Sequence, residues 1–305
     1  MQLDLRPLTL AELLDRSFSL YKRHFWLFVG IMAVPAACGM LPLVSMRIFR
    51  SPVARTIPPE KVLMYVLPAA VGLIIFFLVY MVVYMYAVGA ASIAVSDLYL
   101  GRDSTIGSAY RRVRPLGWRL VLLFLWTLLS IMGACLLVGV TAAAVAYLVS
   151  FVARPLAALV AVFAFLAVFA VFVWMTVRMG VSVPVLVVEK VTAATALKRS
   201  FELTQGNAGR VFLIVLCAAV VAYATALIFT GPFSIAALAA GPETKTALLF
   251  NIGGAISGAI GGMLSGPIMI IGLAMVYYDL RTRKEALDLE LLLENVDAPR
   301  VAEPT

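Results

Sequence analysis

The chain has 305 residues, of which 63% are hydrophobic and 13% charged, about half the charged share of an ordinary soluble domain. So few polar side chains cannot cover a globular surface, which excludes a water-soluble domain. The net charge of +8 would suit nucleic acid, but the Lys and Arg stand in short clusters beside apolar runs. That is the pattern of membrane topology, so nucleic acid is set aside as a partner.

Residues 1–24 read as a basic amphipathic helix lying on the membrane surface. Thr9-Leu10-Ala11-Glu12 has the form of a capping box, flanked by Leu8 and Leu13 as a hydrophobic staple. Leu10, Leu14, Phe18, Tyr21 and Phe25 fall on one helical stripe, with Asp15, Arg16, Lys22 and Arg23 off it. Arg16, Lys22 and Arg23 are therefore candidate contacts to anionic headgroups; the simpler alternative is an anchor that sets bilayer register. Asp4, Glu12 and Asp15 interrupt the segment, so it is not a cleavable signal peptide. The first span would then serve as an uncleaved insertion signal.

Six apolar segments follow, at about 25–46, 63–96, 117–150, 156–188, 209–231 and 247–278. Lipid offers no partner to a bare backbone amide, so the segments are expected to be helices of an all-α polytopic bundle. The second runs from Val62 to Tyr99 with only Asp97 charged, long enough that it must tilt, kink or project from the bilayer. Of the 24 Lys and Arg, 18 fall in 1–24, 98–119, 178–210 and 279–305. The positive-inside rule puts these segments and both termini in the cytoplasm. Residues 1–284 would form one transmembrane domain, and 285–305 an acidic, leucine-rich cytoplasmic tail. Cys38, Cys135 and Cys217 lie inside apolar runs and read as small packing residues.

Arg111, Arg112, Arg114 and Arg119 between the second and third segments, and Lys198 and Arg199 before the fifth, are further candidate contacts to lipid or to a partner's acidic tail. Arg178 sits between Trp174 and Gly180 among apolar residues, either deep in lipid with a function or at the cytoplasmic boundary. Asp97, Glu189 and Asp279 recur at the ends of returning helices, and bases such as Arg102, Lys190 and Arg281 are expected to latch them. Gly254, Gly258, Gly262 and Gly266 recur every fourth residue, a face along which another helix can approach closely. Its partner is either within the chain or a second copy. His24 is the lone histidine, no H-E-x-x-H or Gly-rich phosphate loop is present, and no two acids stand together within a span. No enzyme activity, metal or cofactor is expected.

The chain also repeats itself. Leu14-Asp15-Arg16-Ser17-Phe18-Ser19-Leu20 matches Leu197-Lys198-Arg199-Ser200-Phe201-Glu202-Leu203 at an offset of 183, which also carries Gly89 onto Gly272. A weaker middle copy starts near Asp103. Three units, about 8–97, 103–189 and 192–279, would each hold a basic amphipathic segment, a helix out, and a longer helix back ending in an acid. Parallel repeats imply a pseudo-three-fold axis along the membrane normal.

Three stretches, Leu8 to Phe25, Ala196 to Asn207 and Tyr277 to Leu289, resemble a family of uncharacterised bacterial multi-pass membrane proteins. That family is the membrane domain associated with glycerophosphodiester phosphodiesterases. The resemblance implies a polytopic helical fold in the cytoplasmic membrane. It does not imply phosphodiesterase activity, which in those enzymes belongs to a separate soluble barrel with paired histidines and metal-binding acids. The expected role is non-catalytic: assembling with, anchoring or regulating a partner, as a homo-oligomer or with another membrane protein. The alternative is a transporter, channel or lipid-translocating protein for a small or apolar substrate.

Overall fold

The structure is a computed structural model that describes residues 9–40, 62–151, 153–241 and 244–285. Among these residues every regular element is helical. They are α1 (Leu10–Arg23), α2 (Phe25–Gly39), α3 (Val62–Tyr99), α4 (Ile106–Val113), α5 (Gly117–Ser150), α6 (Arg154–Met179), α7 (Ser182–Glu189), α8 (Ala193–Thr204), α9 (Ala208–Ala239) and α10 (Lys245–Glu285). Among the described residues, five helical stretches are long and apolar enough to cross a membrane: Ala70–Tyr99, Ile106–Ser150, Arg154–Glu189, Ala208–Ala239 and Lys245–Glu285. The expected count was six. The first expected span, 25–46, appears as the 15-residue α2, which is about 22 Å long and short of the ~30 Å hydrocarbon layer. Its expected end lies outside the described residues, as do the leucines of the acidic tail.

Helix α1 starts on the expected capping box. The Glu12 N–H donates to Thr9 Oγ1 at 3.3 Å, and the Thr9 N–H donates to Glu12 Oε2 at 2.8 Å. Glu12 in the first turn and Lys22 and Arg23 in the last complement the helix dipole. The buried face differs from the expected stripe: Leu13, Ser17, Leu20 and Tyr21 are buried, while Phe18 is exposed under the Lys22 ammonium. The Tyr21 hydroxyl donates to the Leu264 carbonyl at 2.7 Å, and an apolar environment draws in the face that can satisfy that hydroxyl.

His24 separates α1 from α2. Burial pushes its pKa below the ordinary value, and the Arg23 charge adds to this, against an opposing pull from Asp103. A depressed histidine pKa means that the folded chain binds this proton less readily than the unfolded one, so the stability it supports is lost as pH falls below about 6.5. The NMR titration midpoint of His24 is expected below that value, and His24→Gln should flatten the pH dependence of thermal unfolding there.

The contacts gather the chain into two compact units. One comprises Leu14–Gly117 and Ile214–Gly272. In it the last turns of the 38-residue α3 carry buried Ala87, Ala90, Ala91 and Ala94, small side chains that allow close helix approach. Thr105 caps α4 through a second capping box, with the Ser108 N–H donating to its hydroxyl at 3.2 Å. The Tyr110 hydroxyl then donates to the Ile31 carbonyl of α2 at 2.8 Å.

The other unit comprises Met1–Leu13, Trp118–Leu213 and Leu273–Thr305. Here α5 and α6 form a hairpin in which a Cβ on Gly139 would stand 3.8 Å from Val168. Helix α6 stops at Met179, and Gly180 lets Leu273 and Val211 approach the backbone, 3.3 Å from where a Cβ would be. Helix α7 ends on Lys190, a left-handed residue with φ 53, whose carbonyl accepts from Arg119 Nη1 at 2.6 Å. A β-carbon disfavours that conformation by about 1 kcal/mol. Lys190→Gly keeps the carbonyl and should raise unfolding stability by about that amount in a detergent-solubilised thermal or denaturant titration.

Candidate functional site

Three acids close the returning helices, and all three are paired; Asp97 and Asp279 are buried and Glu189 is partly so. Asp97 accepts from Arg112 Nη1 on α4, with 3% of its side chain exposed. Glu189 accepts from Arg199 Nε at 3.0 Å on one oxygen and from the Tyr277 hydroxyl at 2.9 Å on the other. Asp279, 1% exposed, accepts from Arg210 Nη1 at 2.9 Å and Arg283 Nε at 3.0 Å. The expected latch exists, but its partners differ from Arg102, Lys190 and Arg281. Arg102 serves Asp97 through its backbone, N–H to carbonyl at 2.8 Å. Lys190 is the left-handed cap of α7, and Arg281 bonds Glu285 at 3.0 Å.

Around Glu189 the bonds close into a ring. Arg199 Nη2 reaches Glu285 Oε1 at 2.7 Å, Arg281 Nε reaches the other Glu285 oxygen, and Arg281 Nη1 returns to the Tyr277 hydroxyl at 3.5 Å. Two acids and two bases alternate, so the charges cancel while α7, α8 and the end of α10 are cross-linked. Burial works against the Arg199 charge, but the hydrogen bond and charge of Glu189, aided by the charge of Glu285, hold its pKa above the ordinary value. Glu285, the first residue of the expected acidic cytoplasmic tail, is a structural member of the ring.

Caps and bases share a register. Thr9, Thr105 and Thr192 each cap an amphipathic helix, the last by accepting from the Thr195 N–H at 3.4 Å. Seven residues after each cap stands an arginine: Arg16, Arg112 and Arg199. Of the other expected contact residues, Lys22, Arg23, Arg111 and Arg114 are exposed. Arg119 is bonded to Lys190, and Lys198 lies 4.0 Å from Glu202.

Arg178 sits in the last turn of α6, over the Phe201 ring at 5.1 Å. Its carbonyl accepts from the Ser200 and Thr204 hydroxyls at 2.8 and 3.4 Å. Its Nε is buried without a hydrogen-bond partner.

The glycine row divides in two. A Cβ on Gly254 would meet Phe233 Cβ at 2.9 Å, and one on Gly258 would meet Thr230 at 2.8 Å, so these two pack α10 on α9. Gly262 has open space, and a Cβ on Gly266 would stand 3.7 Å from Met32 Sδ. Gly258, Gly262 and Gly266, with Met32, Tyr80 and Tyr84, help line a cavity of about 380 Å³. That volume is within the range of ligand pockets.

Among the described residues no group of three or more His, Cys, Asp or Glu side chains is placed to hold a metal ion. A family described as a domain of unknown function, DUF8558, matches residues 59–251, more than half of the chain. The chain belongs to that family. The DUF8558 segment contains Asp97 with Arg112 and Glu189 with Arg199, while Tyr277, Asp279, Arg281 and Glu285 follow it. No curated protein and no solved structure matches the chain.

Sequence reasoning missed Tyr277, Glu285 and Arg210. Tyr277, Arg281 and Glu285 stand four residues apart on one helix and so share a face, which was a usable signal. Arg210 carried none, because its acid lies far along the chain on another helix.

Proposed function

We propose that the chain is a non-catalytic integral protein of the cytoplasmic membrane that assembles with another membrane-embedded chain, most simply a second copy, through the α5–α6 hairpin. One observation carries this reading. In Lys245–Glu285, 56% of the most apolar stretch is buried, against none in Arg154–Glu189 and 6% in both Ile106–Ser150 and Ala70–Tyr99. The hairpin thus leaves most of its residues exposed or half-exposed, and Gly133 within it has open space where a Cβ would be. In lipid such small-residue positions are where helices meet.

The shared register of Thr caps and arginines supports three repeated units, and the distribution of basic residues supports a cytoplasmic location for the amphipathic helices. Light scattering of the protein in lipid nanodiscs or mild detergent should give a dimer or larger species, and Gly133→Leu should shift it toward monomer. A wild-type monomer at every concentration overturns the reading.

The cavity favours lipid handling as a second reading, since its lining is mostly small and apolar. Scrambling of a fluorescent phospholipid in reconstituted vesicles, abolished by Gly262→Phe, would support it; wild-type vesicles without scrambling would overturn it.

A further inference from the structure

We propose that Arg178, Phe201 and Trp174 form a binding site for the phosphodiester headgroup of an anionic phospholipid. This inference goes beyond the assembly reading and stands without it.

The arginine is under-satisfied where it sits. Its Nε is buried with no acceptor, and its contact with the Phe201 ring at 5.1 Å supplies attraction but no acceptor for the guanidinium donors. A buried donor without an acceptor is costly, and an acceptor arriving from outside recovers that cost. By contrast, Arg112, Arg199 and Arg210 are each held by an acid.

The fold does not call for a cation at this position. Arg178 stands two residues before Gly180. The residues two before Gly89 and Gly272 are Ala87 and Ile270, both buried and apolar. The corresponding helices pack there without a charge, so the arginine answers a need other than helix packing.

The surroundings fit a lipid better than a free anion. Trp174 packs edge-on against Phe201 with ring centroids 6.1 Å apart. Trp174 is 54% exposed, and Phe163, three turns before it on the same face of α6, is 63% exposed. A guanidinium binds phosphate oxygens through paired N–H donors. The apolar column running from it into the span gives acyl chains a surface, and an indole at headgroup depth is the usual interfacial anchor. The Ser200 and Thr204 hydroxyls, bonded to the Arg178 carbonyl, fix the backbone from which the guanidinium projects.

The test uses the full chain in detergent micelles, with Trp26, Trp118 and Trp126 replaced by phenylalanine so that Trp174 reports alone. Brominated phosphatidylglycerol should quench Trp174 at about five-fold lower lipid fraction than brominated phosphatidylcholine, the preference expected from one added charge contact. Arg178→Gln should remove that preference, Arg178→Lys should keep part of it, and Lys245→Gln, at an exposed base outside every candidate contact, should leave it unchanged. Equal quenching by the two lipids in the Arg178 protein overturns the proposal, and so does a preference that survives in Arg178→Gln. The first comparison needs no Arg178 variant to fold. Displacement of the brominated lipid by millimolar inorganic phosphate would assign the site to a soluble anion and overturn the lipid assignment.

Discussion

Replacing Asp279 by alanine is expected to destabilise the chain by about 3 kcal/mol, the larger of two strong effects, read as a lower midpoint of denaturant or thermal unfolding in micelles. The carboxylate is 1% exposed and faces both Arg210 and Arg283. Removing it takes from two guanidinium groups, each 27% exposed, the carboxylate they share, so that they repel each other. Their partial exposure lets water relieve some of that repulsion, which places the loss at the low end of the range for broken buried pairs. Asp97→Ala should cost less, because its partner Arg112 is 52% exposed and hydrates once released. A double mutant that also replaces Arg210 with a neutral residue should recover part of the Asp279 loss, since one of the stranded charges is then gone. Asp279→Ala costing no more than Asp97→Ala would show that exposure does not set the scale here.

The second large effect lies in the glycine row, where two positions eight residues apart should respond in opposite directions. Gly254→Leu is expected to destabilise by about 2 kcal/mol or more, because even its Cβ would meet Phe233 Cβ at 2.9 Å and the backbone-proximal atoms of α9 cannot swing aside. Gly262→Ala meets nothing within 4 Å and should stabilise by about 0.5–1 kcal/mol, the ordinary gain from removing a glycine inside a helix. Parallel unfolding curves of the two variants decide the matter. Equal effects would mean that α10 does not pack on α9 through this face.

Features that depend on local chemistry were legible in the sequence. The capping box at Thr9, the long apolar runs and the acids ending the returning helices all follow from spacing within a few residues. Features that depend on which groups meet across space were not. Arg102 is nearer to Asp97 in sequence than Arg112, but the chain turns at Gly101, with φ 73, so it is the Arg102 amide that reaches Asp97. The guanidinium that reaches the carboxylate comes from the far end of α4, where the Thr105 cap has set the helix register. The stripe on α1 failed for a similar reason. Two apolar strips run side by side there, and only the bond from Tyr21 to Leu264 decides which is buried. The regular four-residue spacing of the glycines likewise does not reveal that two of them meet α9 and one faces open space.

The ring through Glu189, Arg199, Glu285, Arg281 and Tyr277 also sets an order of events in biosynthesis. A chain is inserted from its N-terminus as it is made, so Glu189 and Arg199 reach the membrane well before Tyr277, Arg281 and Glu285 leave the ribosome. Until then Arg199 has one acid instead of two, and the end of α7 lacks its tyrosine donor. This corner of the protein can lock only when translation of the last long helix is finished, so a nascent chain stalled before Glu285 would expose an unfinished polar cluster to quality-control proteases.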